Sequence, residues 1–198
     1  MSRKDDNLVM KKSTKCVSPD CRVCTSFQLD DLLIVPFEGG TPDTRKLFSY
    51  FLYSAPNIES THSKKIPLDL HNEIFNRMID KRHYRYQKFC GASAVIDKEF
   101  EKGHLDGESF CLKCKRFVCK KKQTAKGKIP ESDLECFLRH IRNSIAHGRV
   151  YFLHGGNKIH IVFEDENTTK NLSARIVCIK ADLEHWKRVL SDKKYYCI

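Results

Sequence analysis

No run of about 18 apolar residues occurs in the sequence, so no segment is long enough to cross a membrane as a helix. Residues 1–15 are polar and basic with no apolar core behind them, unlike a secretory signal. There is no internal repeat, and no linker of distinct composition divides the chain. We therefore expect a cytoplasmic protein without a membrane partner. Its 198 residues suffice for one well-buried domain, with or without a small extension.

Basic residues are in excess. The chain has 36 Lys plus Arg against 25 Asp plus Glu, which gives a formal net charge of +11. Such an excess favours a polyanionic partner, because each phosphate that is neutralised releases condensed counterions. A nucleic acid is the polyanion that we expect. The alternative is a basic protein whose lysines are simply solvated.

Ten cysteines are present in a chain without a recognisable export signal, so we expect free thiols or metal ligands rather than disulfides. Cys16, Cys21 and Cys24 are the candidate ligands of a structural zinc ion. Cys111 and Cys114 form a second CxxC pair far along the chain. That pair also fits buried thiols on the apolar stripe of a helix, and the sequence leaves both interpretations open.

The pattern of apolar residues predicts a mainly α fold. Residues 1–40 form a basic, Cys-containing leader, and residues 41–198 form the domain. One helix is expected to begin at Thr41-Pro42, and a second opens at Pro67 with a stripe that can continue towards Phe89. A short helix is predicted within residues 91–103 and another over residues 110–118, where apolar residues recur at helical spacing.

Towards the C-terminus the pattern changes to short β-branched and aromatic runs. Residues 149–153 and 158–163 are predicted to form a hairpin, with a third strand at residues 175–179. We interpret residues 149–179 as a small antiparallel hairpin or three-stranded appendage to a helical bundle. Asp182 is expected to cap a last helix.

The clearest helix lies just before that change. Ser132 and Glu135 have the Ser-x-x-Glu spacing of a capping box, in which the two side chains bind free backbone N–H groups. Gly148 stands where a left-handed residue would end the helix. The face predicted to be buried carries Leu134, Phe137, Leu138, Ile141 and Ile145.

Three polar residues on the opposite face form the candidate catalytic site. Asn143 and His147 are one turn apart, and Arg142 lies beside them. A neutral imidazole can take a proton from a ribose 2′-hydroxyl, and a guanidinium can bind two phosphate oxygens. Asn143 can donate to a phosphate oxygen or orient the imidazole. This chemistry requires no metal ion or other cofactor.

Further basic residues near the same helix are candidate RNA contacts. The run Lys120-Lys121-Lys122 would most often be a solvated surface. Its proximity to the site, however, favours contact with a phosphate backbone. The candidates are Arg139, Arg149, Lys120, Lys121 and Lys122.

The stretch from Phe137 to Gly148, FLRHIRNSIAHG, resembles the signature helix of the HEPN superfamily, which carries Arg, a polar residue and then His. In this chain four residues separate Arg142 from His147, and Asn143 is the polar residue. The resemblance implies an HEPN-like helical bundle that forms a homodimer. It also implies catalytic roles for Arg142 and His147, with Asn143 in support.

Many members of the superfamily are metal-independent endoribonucleases of toxin–antitoxin or anti-phage systems. By that resemblance the product would be a 2′,3′-cyclic phosphate, and an antitoxin or a defence-system protein would be a partner. Two alternatives remain open at this point. One is a non-catalytic HEPN module that senses RNA or nucleotides. The other is an interaction protein in which Arg142 and His147 stabilise a dimer.

Overall fold

A five-stranded mixed sheet lies at the centre of the protein, with helices packed against it. The computed structural model describes residues 11–12, 25–28, 41–56, 65–80, 82–106, 109–111, 113–155 and 158–196. The helices are α1 (Pro42–Ser49), α2 (His71–Met78), α3 (Asp97–Lys102), α4 (Asp133–Ala146) and α5 (Lys180–Leu190). A π-helical turn, Tyr50–Ser54, continues α1, and 3-10 turns lie at Leu68–Leu70 and Lys193–Tyr195.

The described strands form two sheets. The strands are β1 (Lys11–Lys12), β2 (Thr25–Gln28), β3 (Tyr86–Cys90), β4 (Ser109–Cys111), β5 (Arg116–Lys120), β6 (Val150–Gly155), β7 (Lys158–Glu166) and β8 (Leu172–Ile179). The central sheet has the order β3-β5-β8-β7-β6. Its β3–β5 pair is parallel and the other pairs are antiparallel. A smaller antiparallel sheet has the order β1-β2-β4.

Both faces of the central sheet are buried. Alternate residues of a strand point to opposite faces, so Phe117 lies in the larger core with the helices while Val118 lies in a second core on the other face. The same alternation separates Ile161 from Val162 and Ile176 from Val177. Strands covered on both faces have nearly continuous apolar runs, which is the pattern of β5, β7 and β8.

The prediction of a mainly α bundle with a small β-appendage is therefore wrong, because the protein is a mixed α/β structure. Strands were correctly expected within residues 149–179, but β8 and β7 stand inside the sheet rather than beside a bundle. A short run of strand-forming residues does not indicate whether the strand will pair with one neighbouring strand or with two. Pairing of β8 with β5, more than 50 residues earlier in the chain, was not visible in the local pattern.

One predicted helix, and the predicted continuation of another, are also strands in the structure. The helix predicted over residues 110–118 is replaced by β4 and β5, and the helical stripe expected to reach Phe89 ends at Met78. Phe89 instead belongs to β3. The reason is that residues 116–119 are all fully buried, so their apolar spacing reflects two covered faces rather than one helical stripe.

Several helix boundaries are confirmed. Thr41 caps α1, and its hydroxyl accepts a hydrogen bond from the backbone N–H of Thr44. A short helix, α3, lies inside residues 91–103 and is followed by Gly103. The last helix begins slightly earlier than expected, at Lys180, with Asp182 in its first turn. The Asp182 carboxylate still caps the start of the helix, since it accepts a hydrogen bond from the Ile179 N–H at 3.0 Å.

None of the helices in the described part of the chain combines the length and the apolar character that crossing a bilayer requires. The proposed leader, residues 1–40, lies outside the described residues apart from β1 and β2. The division at residue 40 stays a prediction.

Candidate functional site

Helix α4 carries the candidate site, and its N-terminus is fixed as the sequence predicted. The Ser132 hydroxyl accepts from the backbone N–H of Glu135 at 3.2 Å, while the Glu135 carboxylate accepts from Ser132 N–H at 2.9 Å. This reciprocal pair is the predicted capping box. All five apolar residues expected on the inner face are buried, and α4 packs against β7 and α2. The opposite face is thereby held outward.

The C-terminus of α4 ends in a Schellman motif. Gly148 has a φ of +69°, in the left-handed region that glycine adopts without a steric penalty. Arg149 N–H donates to the Ser144 carbonyl at 2.8 Å, and Gly148 N–H donates to the Ile145 carbonyl at 3.2 Å. His147 is the cap residue and its side chain is exposed. The turn therefore presents the imidazole at the end of the helix.

We expect Gly148→Ala to lower the free energy of unfolding by about 1 kcal/mol, because a Cβ disfavours the left-handed conformation. The cost is conformational only, since an added Cβ at Gly148 would meet no atom within 4 Å. Gly91 offers a matched control. It also has open space around it, but its φ is not positive, so Gly91→Ala should be neutral or slightly stabilising. Urea titration of the two variants would check this, and equal effects would contradict it.

A polar groove runs along the outer face of α4. The segment from Lys122 to Ile129 forms one wall, and Arg142 and Asn143 lie on the other. The cavity volume is about 560 Å³. His147 does not line this groove and lies one helical turn beyond Asn143. The lining residues are Lys122, Gln123, Thr124, Ala125, Lys128, Ile129, Glu131, Glu135, Arg139, Arg142 and Asn143.

Arg142 and His147 differ from most charged residues around them. Within the described part of the chain, neither side chain has a hydrogen-bond or ion-pair partner, although Arg142 is half-buried in the groove wall. A guanidinium held in a concave site without a carboxylate partner is suited to bind an external anion. The two side chains are thus available to a ligand.

Asn143 is held by a residue that the sequence did not indicate. Its Nδ2 donates to Asp165 Oδ2 at 3.1 Å. The same oxygen lies 2.7 Å from His140 Nδ1, and His140 Nε2 lies 2.8 Å from the Lys120 carbonyl oxygen. His140 is fully buried and Asp165 is 2% exposed. Asp165, at the end of β7, therefore joins α4 to the sheet through a buried polar network.

One signal for this network was present in the sequence. Glu164 and Asp165 directly follow the apolar run at residues 161–163 near the end of β7, and a carboxylate that is buried there requires a partner. Which partner each carboxylate binds depends on the packing of α4 against β7, and no spacing rule predicts it. His140 was expected at the border of the polar face, whereas the structure buries it against Asp165.

Arg139 lines the groove, but its donors are engaged within the protein. Its Nε donates to Glu131 Oε1 at 2.6 Å, and its Nη2 donates to the Lys120 carbonyl at 2.9 Å. Burial acts to raise the pKa of Glu131, but hydrogen bonds from Arg139 and from Lys122 N–H outweigh it and lower that pKa below its usual range. The Arg139–Glu131 pair anchors the groove wall to α4.

The remaining candidate RNA contacts fall around the groove rather than all within it. Lys122 lines it, while the Lys121 ammonium pairs with Asp133 at 2.7 Å. Lys120 is half-buried at the end of β5 and supplies the carbonyl that binds α4. Arg149 pairs with Glu166 beside the helix end. Surface ion pairs of this kind are weak, so these side chains can exchange partners with a phosphate.

The six cysteines that the structure describes are all buried. Cys111 and Cys114 are buried near β4 and β5, not on a helix. Burial raises the pKa of the Cys136 thiol, which disfavours a thiolate nucleophile beside the site. No cluster of three or more potential ligands that could hold a metal occurs among the residues described. Cys16, Cys21 and Cys24 lie outside those residues, so a zinc site there stays a prediction.

The comparisons with known proteins agree with the α4 motif. Residues 77–185, more than half of the chain, match the model of an HEPN family, and this span runs from α2 to α5. The chain belongs to that family, which is described as HEPN pEK499 p136. No curated protein and no solved structure matches the chain. The predicted HEPN membership is confirmed.

Proposed function

We propose that the protein is a metal-independent endoribonuclease whose site is formed by Arg142, Asn143 and His147. The observation that carries the proposal is that Arg142, in a polar groove, and His147, at the adjacent helix end, both lack a hydrogen-bond or ion-pair partner among the residues that the structure describes. An HEPN domain is a nuclease-like or RNA-binding module, and these side chains suit the cleavage of a phosphodiester.

In the proposed reaction, His147 takes the proton of a ribose 2′-hydroxyl. The 2′-oxygen attacks the adjacent phosphorus, the bond from phosphorus to the 5′-oxygen breaks, and a 2′,3′-cyclic phosphate forms. Arg142 binds the phosphate oxygens as charge accumulates on them. We assign the proton that the leaving 5′-oxygen requires to a second His147, supplied by another copy of the chain in a homodimer. A role in a toxin–antitoxin or anti-phage system is part of the proposal.

Incubation of the protein with single-stranded RNA in the presence of EDTA tests the activity. We expect cleavage to persist with the chelator, and His147→Ala to reduce its rate by about 10²–10⁴-fold, which is the usual contribution of general acid–base catalysis. Arg142→Ala should reduce it by a similar factor, because charge stabilisation in the transition state is lost. Mass analysis of the fragments should find the cyclic phosphate.

Arg82 and His83 supply matched controls. Both side chains are exposed, their only described ion pairs are with Asp80, and neither lines the groove. Arg82→Ala and His83→Ala should cleave at the wild-type rate. Cleavage that survives His147→Ala, or that EDTA abolishes, would contradict the proposed mechanism. Light scattering of the same samples tests the homodimer.

The second candidate is a non-catalytic module that binds RNA or a nucleotide as a sensor. It is favoured by the groove volume of about 560 Å³, which lies in the range typical of sites for small ligands. RNA or nucleotide binding without any cleavage would establish this function instead. A third outcome is that the protein neither binds nor cuts RNA, and that Arg142→Ala converts a dimer into monomers. In that case the role of Arg142 is to stabilise the dimer.

A further inference from the structure

The orientation of the Asn143 side chain is dictated by a buried carboxylate. Asp165 Oδ2 lies 3.1 Å from Asn143 Nδ2, and a carboxylate oxygen can only accept a hydrogen bond from an amide. Turning the amide by 180° would set Asn143 Oδ1 against this oxygen and place two acceptors in contact. Asp165 is also held in position by His140 Nδ1 at 2.7 Å. The Asn143 amide group is thus directed to Asp165.

As a consequence, Asn143 Oδ1 faces away from Asp165. Asn143 is half-buried and lines the groove beside Arg142, and no described residue donates a hydrogen bond to its Oδ1. The α4 wall of the groove therefore presents two unlike groups next to each other. Arg142 offers donors, and Asn143 offers an acceptor in a fixed orientation.

These two groups differ in what they can bind. A phosphodiester oxygen accepts hydrogen bonds, so it is bound by Arg142 and repelled by Asn143 Oδ1. A hydroxyl can donate to Oδ1. In RNA the ribose 2′-hydroxyl is adjacent to the 3′-phosphate, so a phosphate bound by Arg142 carries a donor close to the position of Asn143.

We propose that Asn143 recognises the ribose 2′-hydroxyl through its Oδ1, and that Asp165 is the positioning residue that fixes this orientation. The hydroxyl has a single proton, so it donates to Asn143 Oδ1 on binding and turns towards His147 when that proton is removed. The inference rests on the proposed function, in that the groove receives an RNA strand. It differs from the sequence expectation for Asn143, because the group assigned to recognition is the amide oxygen, while one N–H of the amide is held by Asp165. The 2′-hydroxyl is the group that distinguishes RNA from DNA, so Asn143 determines the preference for RNA.

Equilibrium binding separates this role from cleavage. The His147→Ala protein, which retains both residues of the proposed recognition, is titrated with a fluorescent single-stranded RNA and with the DNA of the same sequence, with uracil in place of thymine. We expect RNA to bind about tenfold more tightly, which corresponds to one net hydrogen bond. Addition of Asn143→Leu should bring the two dissociation constants close to equality.

Lys128→Ala is the matched control in the same groove. Lys128 lines the opposite wall, and its charge attracts the backbone of RNA and DNA alike. This substitution should weaken both complexes by a similar factor and leave the ratio of their dissociation constants unchanged. A ratio that Asn143→Leu leaves at the His147→Ala value would overturn the recognition by Asn143.

Asp165→Asn tests the positioning role. Its amide keeps the size of the carboxylate but presents a donor as well as an acceptor, so the Asn143 amide can adopt both orientations. We expect the RNA to DNA ratio to fall towards one in a protein whose circular dichroism spectrum is unchanged. If the protein is destabilised but the ratio stays tenfold, Asp165 is structural only, and its positioning role is wrong.

The cleavage assay on the wild-type chain keeps the two proposals distinguishable. RNA preference that depends on Asn143, without cleavage by the wild type, supports the recognition and overturns the endoribonuclease. Cleavage by the wild type, with a preference independent of Asn143, overturns the recognition and leaves the endoribonuclease standing. Absence of binding to either nucleic acid overturns both.

Discussion

Asp165→Ala is expected to lower the free energy of unfolding by about 3 kcal/mol, because a buried donor loses its partner and a buried network is broken. The carboxylate is 2% exposed and accepts from Asn143, and its Oδ2 also binds His140 Nδ1. With alanine in its place, the fully buried His140 ring keeps the Lys120 carbonyl at Nε2, but its Nδ1 is left with a long contact of 3.5 Å to Arg139 Nη1. Chemical denaturation followed by tryptophan fluorescence would measure the loss through Trp186.

An exposed ion pair provides the contrast for this measurement. Glu184 pairs with Lys180 at 3.4 Å on the surface of α5, and its side chain is 49% exposed. Glu184→Ala should therefore cost no more than about 0.5 kcal/mol. Similar losses for the two alanine variants would show that the network around Asp165 contributes no more than a solvated pair does.

The second large effect is expected from Phe137→Ala, which should destabilise the protein by about 3–5 kcal/mol. Phe137 is fully buried on the inner face of α4. Its ring centroid lies 5.1 Å from those of Phe117 and Trp186 and 5.6 Å from that of Phe75. The ring thus joins α4 to β5, α5 and α2, and these three neighbours cannot all move inward to fill the cavity that the substitution leaves.

The same denaturation experiment measures this loss, with Val95→Ala as the control. Val95 is apolar but 68% exposed, so its truncation should change stability by less than about 0.5 kcal/mol. A cost below about 1 kcal/mol for Phe137→Ala would mean that the aromatic core relaxes around the cavity. Activity should be lost in proportion to unfolding, since Phe137 does not line the groove.

The candidate site was predicted largely from local signals. Ser132, Glu135 and Gly148 define the ends of α4, and each acts within one helical turn of its own position. The apolar stripe then determined which face of α4 is buried, so the outward placement of Arg142 and Asn143 followed from helical geometry alone.

Residues that meet the site from elsewhere in the chain were not predictable in this way. Asp165 reaches His140 across 25 positions, and the Lys120 carbonyl reaches it across 20. Both contacts exist because β5 and β7 belong to one sheet on which α4 packs. Arg139 and Arg142 both line the groove and are equivalent in the sequence pattern. Only the structure shows that Glu131 binds the Arg139 guanidinium.

The sequence by itself determined the elements whose stabilising interactions are local: the capped helix α4, its buried stripe, its left-handed end and the hairpin strands that follow. It also determined HEPN membership, which the family match confirms. Tertiary structure decided the fold class, because residues 116–119 are buried on both faces of the sheet and only long-range pairing with β3 and β8 makes them a strand. It also decided the orientation of Asn143 on α4, since the carboxylate that imposes it comes from β7, a strand of the central sheet.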